Sequence, residues 1–400
     1  MPANGLKAKS DKRKAAAPAA RKGAGKTAAK AAPKAAAAIP RPYDQDAAKR
    51  GFAAWRDRLA EMTDRKAAKR LAALTAKTAK VSGGHDLLAA IFGNSPFLSD
   101  LCLHEPGVVE TLLDSGPDKA LAAALATLKA AARKAATAED LAVPLRIAKR
   151  QVALSIAAAD ITGRWPLEKI TGSLSDFATL AVDLAFAALL RDAADAGDLI
   201  VPDRKNPCKA SGFFALGMGK LGARELNYSS DIDLIVLFDP DVAQYTGRRS
   251  MLECFIRLTQ QMVRLLHDRT EDGYVFRTDL RLRPDPGSFP VAVSTHEAET
   301  YYESFGQNWE RAAMIKARPV AGDLEAGARF LKHLTPYVWR KNLDFAAIED
   351  IHSIKRQIHA HRGHGEIAVQ GHNIKVGRGG IREIEFFAQT QQLIAGGRDT

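Results

Sequence analysis

The sequence predicts an α+β fold in which a mixed sheet with its own helices is flanked by an N-terminal and a C-terminal helical region. Three observations predict it. Residues 46–200 are rich in Ala and Leu with apolar side chains at helical spacing. Residues 201–322 change to short apolar runs broken by Gly and Pro. Helical spacing then returns across residues 323–400. At 400 residues and 46% hydrophobic content the chain can bury two or more cores, which excludes disorder throughout.

Ahead of the first helical region, residues 1–45 form a basic Ala/Lys/Pro tail. Residues 1–42 hold 11 Lys and Arg against Asp11 alone, so +10 of the net charge of +12 sits there. With almost no large apolar side chain, the tail cannot offset its ordering entropy by burial and is expected to be disordered. A solvated tail is preferred to one that binds nucleic acid or a membrane surface. No apolar stretch follows the basic start, so no secretory signal is read, although the Arg/Lys-rich, acid-poor composition faintly resembles a transit peptide; a cytoplasmic location and no membrane are expected. Cys102, Cys208 and Cys254 are odd in number and widely spaced, which indicates buried thiols and neither a disulfide framework nor a zinc site.

In residues 46–200, Phe52, Trp55, Leu59 and Met62 share one helical face, as do Leu174, Phe177, Ala181 and Leu184. Turn chemistry separates the helices at SGGH (82–85), EPG (105–107), SGP (115–117) and GRWP (163–166). The apolar run FATLAVDLAFAALL is too short for a membrane span and carries Asp183 in its middle, so it reads as a buried helix.

The texture changes at VPDRKNP (201–207). SGFFALGMG and DIDLIVLFD read as strands on either side of a Gly-rich turn, followed by a helix with Met251, Leu252, Phe255, Leu258, Met262 and Leu266 on one side. A third strand, YVFRTDLRLRP, would put Arg277, Asp279, Arg281 and Arg283 on one face and Phe276, Thr278, Leu280 and Leu282 on the other. The last segment, IREIEFFAQTQQLIAGG, reads as a helix stopped by Gly396 and Gly397.

Asp231-Ile232-Asp233 opens the second strand. Carboxylates at i and i+2 point to one face, roughly 6–7 Å apart along the chain. Hard divalent cations take carboxylate oxygens and leave room for substrate phosphates, so the pair suggests phosphoryl or nucleotidyl transfer. Asp279 among three arginines would alone read as a surface salt-bridge ladder. Beside Asp231 and Asp233 it reads as a third ligand, and three carboxylates from two strands can bind two metal ions roughly 4 Å apart. Arg281 and Arg283 would then neutralise phosphate oxygens.

The loop GMGKLG, with Gly217, Gly219, Lys220 and Gly222, has backbone N–H groups and one cation suited to a phosphate. It also matches the dinucleotide-binding fingerprint, and Asp239 mimics the ribose-binding acid of that fold. Only residues 223–230 separate it from Asp231, too few for a parallel crossover, so that rival does not fit. Ser229 and Ser230 serve equally as phosphate contacts or as turn residues. His352, His359, His361, His364 and His372 lie in a Gly/Arg-rich polar stretch without Cys partners and read as solvated.

LGMGKLGARELNYSSDIDLIVLFD together with the Asp279 segment resembles the polymerase-β-like nucleotidyltransferase superfamily. GMGKLGARELNYSSDIDLI, DGYVFRTDLRLRP, YYESFGQNWERAAMIKARPVAGD and GGIREIEFFAQ more closely resemble the N-terminal, adenylyl-removing half of the bifunctional glutamine synthetase adenylyltransferase/adenylyl-removing enzyme family, over residues 46–400. That resemblance implies a nucleotidyltransferase catalytic domain at 201–322 and a truncated helical domain at 323–400, since family members run to more than twice this length with a regulatory region and a second catalytic half.

It also implies Asp231, Asp233 and Asp279 as ligands of Mg²⁺ or Mn²⁺, with Gly217, Gly219, Lys220 and Ser230 on the phosphate or nucleotide side. The implied reaction removes AMP from a tyrosine of glutamine synthetase by phosphorolysis, consuming inorganic phosphate and releasing ADP, with the PII signalling protein as regulator. The residues themselves specify only metal-dependent transfer at a phosphate. Two alternatives stand beside it: ATP-dependent attachment of AMP to a protein, and a non-catalytic adaptor or nucleic-acid-binding fragment. Three convergent carboxylates, which repel one another without metal, argue against a pure binding module.

Overall fold

A computed structural model of the chain describes residues 39–76, 83–339, 371–375 and 377–396. The basic tail up to residue 38, Ser82, His352, His359, His361, His364 and Gly397 lie outside the described residues.

The helical region begins with α1 (Gln45–Glu61), α2 (Arg65–Thr75), α3 (Gly84–Asn94), α4 (Pro96–His104), α5 (Pro106–Ser115) and α6 (Pro117–Lys134). Asp44 and Asp64 cap α1 and α2 by accepting from backbone N–H groups of the first turn, and Ser95 caps α4. The EPG and SGP breaks place Pro106 and Pro117 in the opening turn of α5 and α6, where a missing N–H costs nothing. Trp55, Leu71, Leu88, Ile91 and Leu101 close a core among these helices.

Two longer helices, α7 (Ala142–Ile161) and α8 (Leu167–Asp195), carry the region into the sheet. Among the described residues α8 is the one helix long and apolar enough to cross a membrane, and 61% of its most apolar window is buried inside the fold. Its Asp183 accepts from the Gly322 N–H at 3.1 Å, so the polar interruption has a partner inside the protein.

The sheet comprises β1 (Phe213–Gly217), β2 (Ile232–Phe238), β3 (Thr278–Asp279), β4 (Val293–Ser294) and β5 (Arg318–Gly322), in the order β3-β2-β1-β5, with β4 also on β2. β1 runs antiparallel to β2 and β5, whereas β3 and β4 pair with β2 in parallel. The antiparallel β1/β2 pair rules out the dinucleotide-binding crossover, which requires parallel neighbours. FFALG and IDLIVLF are apolar almost throughout because both faces are covered. Phe213, Leu234 and Val236 face α8 and α10 (Met251–His267), with Phe213 stacked on Phe186 at 4.4 Å. Phe214, Leu216, Ile235 and Leu237 face α11 (Thr295–Ser304), α12 (Asn308–Met314), α13 (Leu324–His333) and α14 (Thr335–Val338). A last helix, Ile381–Ala395, is capped at Gly396.

The third strand is much shorter than its alternation suggests. Only Thr278 and Asp279 pair with β2, and the chain then leaves the sheet. The Arg281 N–H turns back to Asp279 Oδ1 at 2.8 Å, and Pro284, Pro286 and Pro290 cannot donate to a ladder. Arg281 and Arg283 therefore lie on a turn and not on an ionic strand face. Strand pairing resumes at β4, further along the same edge of β2.

Candidate active site

The parallel register of β2 and β3 sets Ile232 beside Thr278 and Asp233 beside Asp279. Side chains level with each other on neighbouring strands share a face, and Asp231, two residues before Asp233, projects to that same face. The three carboxylates differ in environment. Asp231 is exposed and accepts from Arg277 Nη2 at 3.2 Å. Asp279 is gripped by Arg281 through its Nε at 3.0 Å and its Nη2 at 2.5 Å, and these hydrogen bonds hold its carboxyl below the usual range.

Asp233 lies between them and has no such partner among the described residues. Burial first, then the Asp279 and Asp231 charges, push its carboxyl up to about 6, with Arg281 and Lys375 acting in the opposite sense. A carboxylate raised by burial and by two neighbouring like charges is the electrostatic signature expected of a position that receives a cation.

The Gly-rich loop abuts Asp233. The Met218 N–H donates to the Asp233 carbonyl at 2.9 Å, and Gly219 adopts φ +50°, a left-handed conformation suited to glycine. A Cβ at Gly219 would stand 3.3 Å from Asp233 Oδ2. α9 (Gly219–Gly222) follows, with Lys220 exposed. Gly217 and Gly222 serve packing: a Cβ on Gly217 would meet Val320 at 2.6 Å, and one on Gly222 would meet the Lys316 carbonyl oxygen at 1.9 Å.

Ser229, at φ +53°, turns the chain into β2, and its carbonyl accepts from Arg277 Nη2 at 2.6 Å. Ser230 closes that turn through its N–H on the Asn227 carbonyl at 3.3 Å. Arg283 is directed away from the carboxylates, donating to the carbonyls of Leu280, Pro286 and Phe289 at 2.9, 3.0 and 3.2 Å. It braces the turn.

The structure thus brings Asp231, Asp233, Asp279, Gly219 and Arg281 together, with Ser229 at the rim, and adds two cations absent from the sequence-derived site. Arg277 was legible only as a member of a charged strand face. Lys375 comes from KVGRGG, whose mix of Gly and basic residues is its only sequence signal. His372 sits nearby with Nε2 3.1 Å from the Arg378 carbonyl.

The donor set matches a hard divalent cation in chemistry: three carboxylates on one face, the central one raised by burial and then by the other two. Arg277 and Arg281 serve as counter-ions to the outer two, and among the described residues no three acidic, His or Cys groups are gathered closely enough to enclose an ion.

A sheet carrying paired and register-matched carboxylates beside a Gly-rich turn, with helices on both faces, defines a nucleotidyltransferase-like α+β protein. Residues 85–333 match the glutamate-ammonia ligase adenylyltransferase family, and the chain belongs to that family. Residues 352–400 match the GlnD PII-uridylyltransferase family.

Among curated proteins, the chain is 54% identical over 358 residues to the bifunctional glutamine synthetase adenylyltransferase/adenylyl-removing enzyme of Mesorhizobium japonicum, covering 89% of this chain and 36% of that protein. It is 58% identical over 318 residues to the like-named enzyme of Rhizobium meliloti, covering 78% of this chain and 32% of that protein. The like-named protein of Brucella suis is 54% identical over 314 residues, 78% of this chain and 32% of the relative. The chain spans about a third of the length of these relatives.

Proposed function

We propose that this chain is a metal-dependent nucleotidyltransferase unit that removes AMP from a tyrosine of glutamine synthetase by phosphorolysis, releasing ADP. The observation that carries the reading is the β2/β3 register, which sets Asp233 beside Asp279 with Asp231 on the same face. The choice of removal over attachment rests on the likeness of LNYSSDIDLI and GGIREIEF to the removing half of the family.

Asp231, Asp233 and Asp279 would hold Mg²⁺ or Mn²⁺, which when bound supplies charge neutralisation at the transferring phosphoryl group. The chain's own groups do the rest. Arg281 and Lys375 flank the carboxylates and offset charge on the equatorial phosphate oxygens. Lys220 and the Gly219 and Lys220 amides that open α9 are the groups that would receive a phosphate. An oxygen of inorganic phosphate attacks the α-phosphorus of the tyrosyl-AMP diester in line. The phosphorus–tyrosine oxygen bond breaks, the phenolate takes a proton, and ADP leaves. In this reading the PII signalling protein acts as regulator, and ATP is the nucleotide of the opposite, attaching reaction.

The test mixes the chain with AMP-modified glutamine synthetase, Mg²⁺ or Mn²⁺ and inorganic phosphate, and follows ADP. Phosphate-dependent ADP formation is expected. Release of AMP without phosphate, or labelling of unmodified glutamine synthetase from ATP, would overturn phosphorolysis in favour of hydrolysis or attachment. Lys220→Ala should raise the KM for phosphate about tenfold with little change in kcat, because a point charge on a phosphate binds ground and transition states alike. Unchanged kinetics would remove Lys220 from the site.

A further inference from the structure

β3 carries Asp279, yet its own pairing is too slight to hold it. Two residues face β2, and one backbone hydrogen bond from the Ile232 N–H to the Arg277 carbonyl, 2.9 Å, marks the start of the ladder. Isolated two-residue pairings are not stable in water, so other contacts must define where Asp279 stands relative to Asp231 and Asp233.

Those contacts come from a single turn of α7 in the helical region. Arg146 is buried, with 2% of its surface exposed, and donates from Nε to the Gly273 carbonyl at 3.0 Å and from Nη2 to the Asp268 carbonyl at 2.6 Å. Arg150 donates from Nη1 to the Asp272 carbonyl at 3.0 Å and to Asp272 Oδ1 at 2.9 Å. Its Nε is held by Glu105 at 2.9 Å, and Glu105 also accepts from Gln151 at 3.0 Å. Between the two arginines, Lys149 sets its ammonium 3.9 Å from the centre of the Phe276 ring.

Arg146, Lys149 and Arg150 thus take successive parts of residues 268–276, the stretch that joins α10 to β3. On the other side, the N–H groups of Val275 and Phe276 both lean on the Leu266 carbonyl at 3.0 Å.

We propose that Arg146 and Arg150, braced by Glu105, are positioning residues that set the placement of β3 and through it of Asp279. The helical region is then a structural part of the catalytic site and not only a neighbour of it. Charge-assisted hydrogen bonds to backbone carbonyls suit this task, because they fix the main chain regardless of its side chains. The mechanical claim stands on the contacts alone, and its catalytic consequence rests on the reading of Asp279 as a site residue.

The experiment compares Arg150→Met, the milder Asp272→Asn, and the conservative Arg150→Lys in the full chain, by hydrogen exchange and by the ADP assay. In Arg150→Met, amides of residues 274–280 should exchange about tenfold faster or more, since a hydrogen bond to a charged group is worth at least that factor in a local opening, while β1 and the centre of β2 keep their protection. Asp272→Asn should show a smaller change in the same segment. In the assay kcat should fall at least tenfold with KM for phosphate unchanged. Arg150→Lys, which keeps a charged donor within reach of residue 272, should lose less on both readouts.

Unchanged exchange at 274–280, or faster exchange spread evenly through β1 and β2, would overturn the positioning role. Faster exchange at 274–280 with full turnover would leave the strap intact and instead sink the assignment of Asp279 to the site, so the two failures are distinguishable.

Discussion

Asp233→Asn should cost the proposed AMP removal most of its rate while making the metal-free protein more stable. The carboxylate sits between Asp231 and Asp279 and is raised to about 6 by burial and by those two charges. Replacing it with an amide keeps the shape, removes the repulsion, and takes away the central charge of the carboxylate set. Turnover should fall on the order of 10³-fold, the scale seen when a preorganised electrostatic group is lost.

The sign of the stability effect follows from linkage. A carboxyl whose folded pKa lies above its unfolded value of about 3.9 binds its proton more tightly in the native state. Its penalty is fully present above pH 6 and is relieved as the pH falls from about 6 towards 4. For a partly exposed group the penalty at pH 7 is about 1–2 kcal/mol after solvent screening. In EDTA, the melting-temperature advantage of Asp233→Asn over wild type should be largest at pH 7 and shrink towards pH 4. Mg²⁺ should stabilise wild type and leave the variant unmoved. A variant that melts earlier than wild type at pH 7 would mean that Asp233 makes a structural contact. A variant that turns over normally would sink the site.

Periodicity and turn chemistry made much of this fold legible, and the reading of the third strand failed where backbone geometry overrode alternation. FFALG and IDLIVLF announced β1 and β2 because a strand buried on both faces has to be apolar almost continuously. The EPG and SGP breaks became the starts of α5 and α6 because proline suits that position. Asp231 and Asp233 were legible from a period-2 pair, and Asp279 as the one carboxylate on the charged face of YVFRTDLRLRP.

Arg281 and Arg283 were misplaced on a strand because alternation cannot register that the Arg281 amide turns back onto Asp279. β4 and β5 were missed altogether: two residues are too few to show a period, and RPVAG opens beside a proline and ends in glycine, the marks of a loop. Lys375 was illegible for another reason. It reaches the carboxylates from more than 90 residues beyond Asp279, and no local pattern encodes that approach.

The two glycines that bound α9 should fail in opposite ways, which separates the packing from the chemistry of GMGKLG. In Gly222→Ala the new methyl would meet the Lys316 carbonyl oxygen at 1.9 Å and the Gly217 carbonyl oxygen at 2.4 Å. Both are main-chain atoms, Gly217 at the end of β1 and Lys316 in the turn that leads into β5, and the Gly222 carbonyl itself accepts from Arg318 Nε at 3.2 Å, so neither side can yield cheaply. Overpacking against backbone should cost about 3 kcal/mol or more and lower the melting temperature by roughly 6 °C or more.

Gly219→Ala has room but the wrong backbone. At φ +50° an L-residue costs about 1 kcal/mol, so the melting temperature should move by only a few degrees. Its methyl, however, would stand 3.3 Å from Asp233 Oδ2, on the face where a phosphate would approach, and turnover should drop at least tenfold. Calorimetry and the ADP assay on the two variants decide between the roles. A Gly222→Ala protein that melts normally but loses phosphate affinity would restore Gly222 to the phosphate contacts that the motif's spacing suggests. A Gly219→Ala protein with full activity would leave the Gly-rich loop as no more than the turn between β1 and β2.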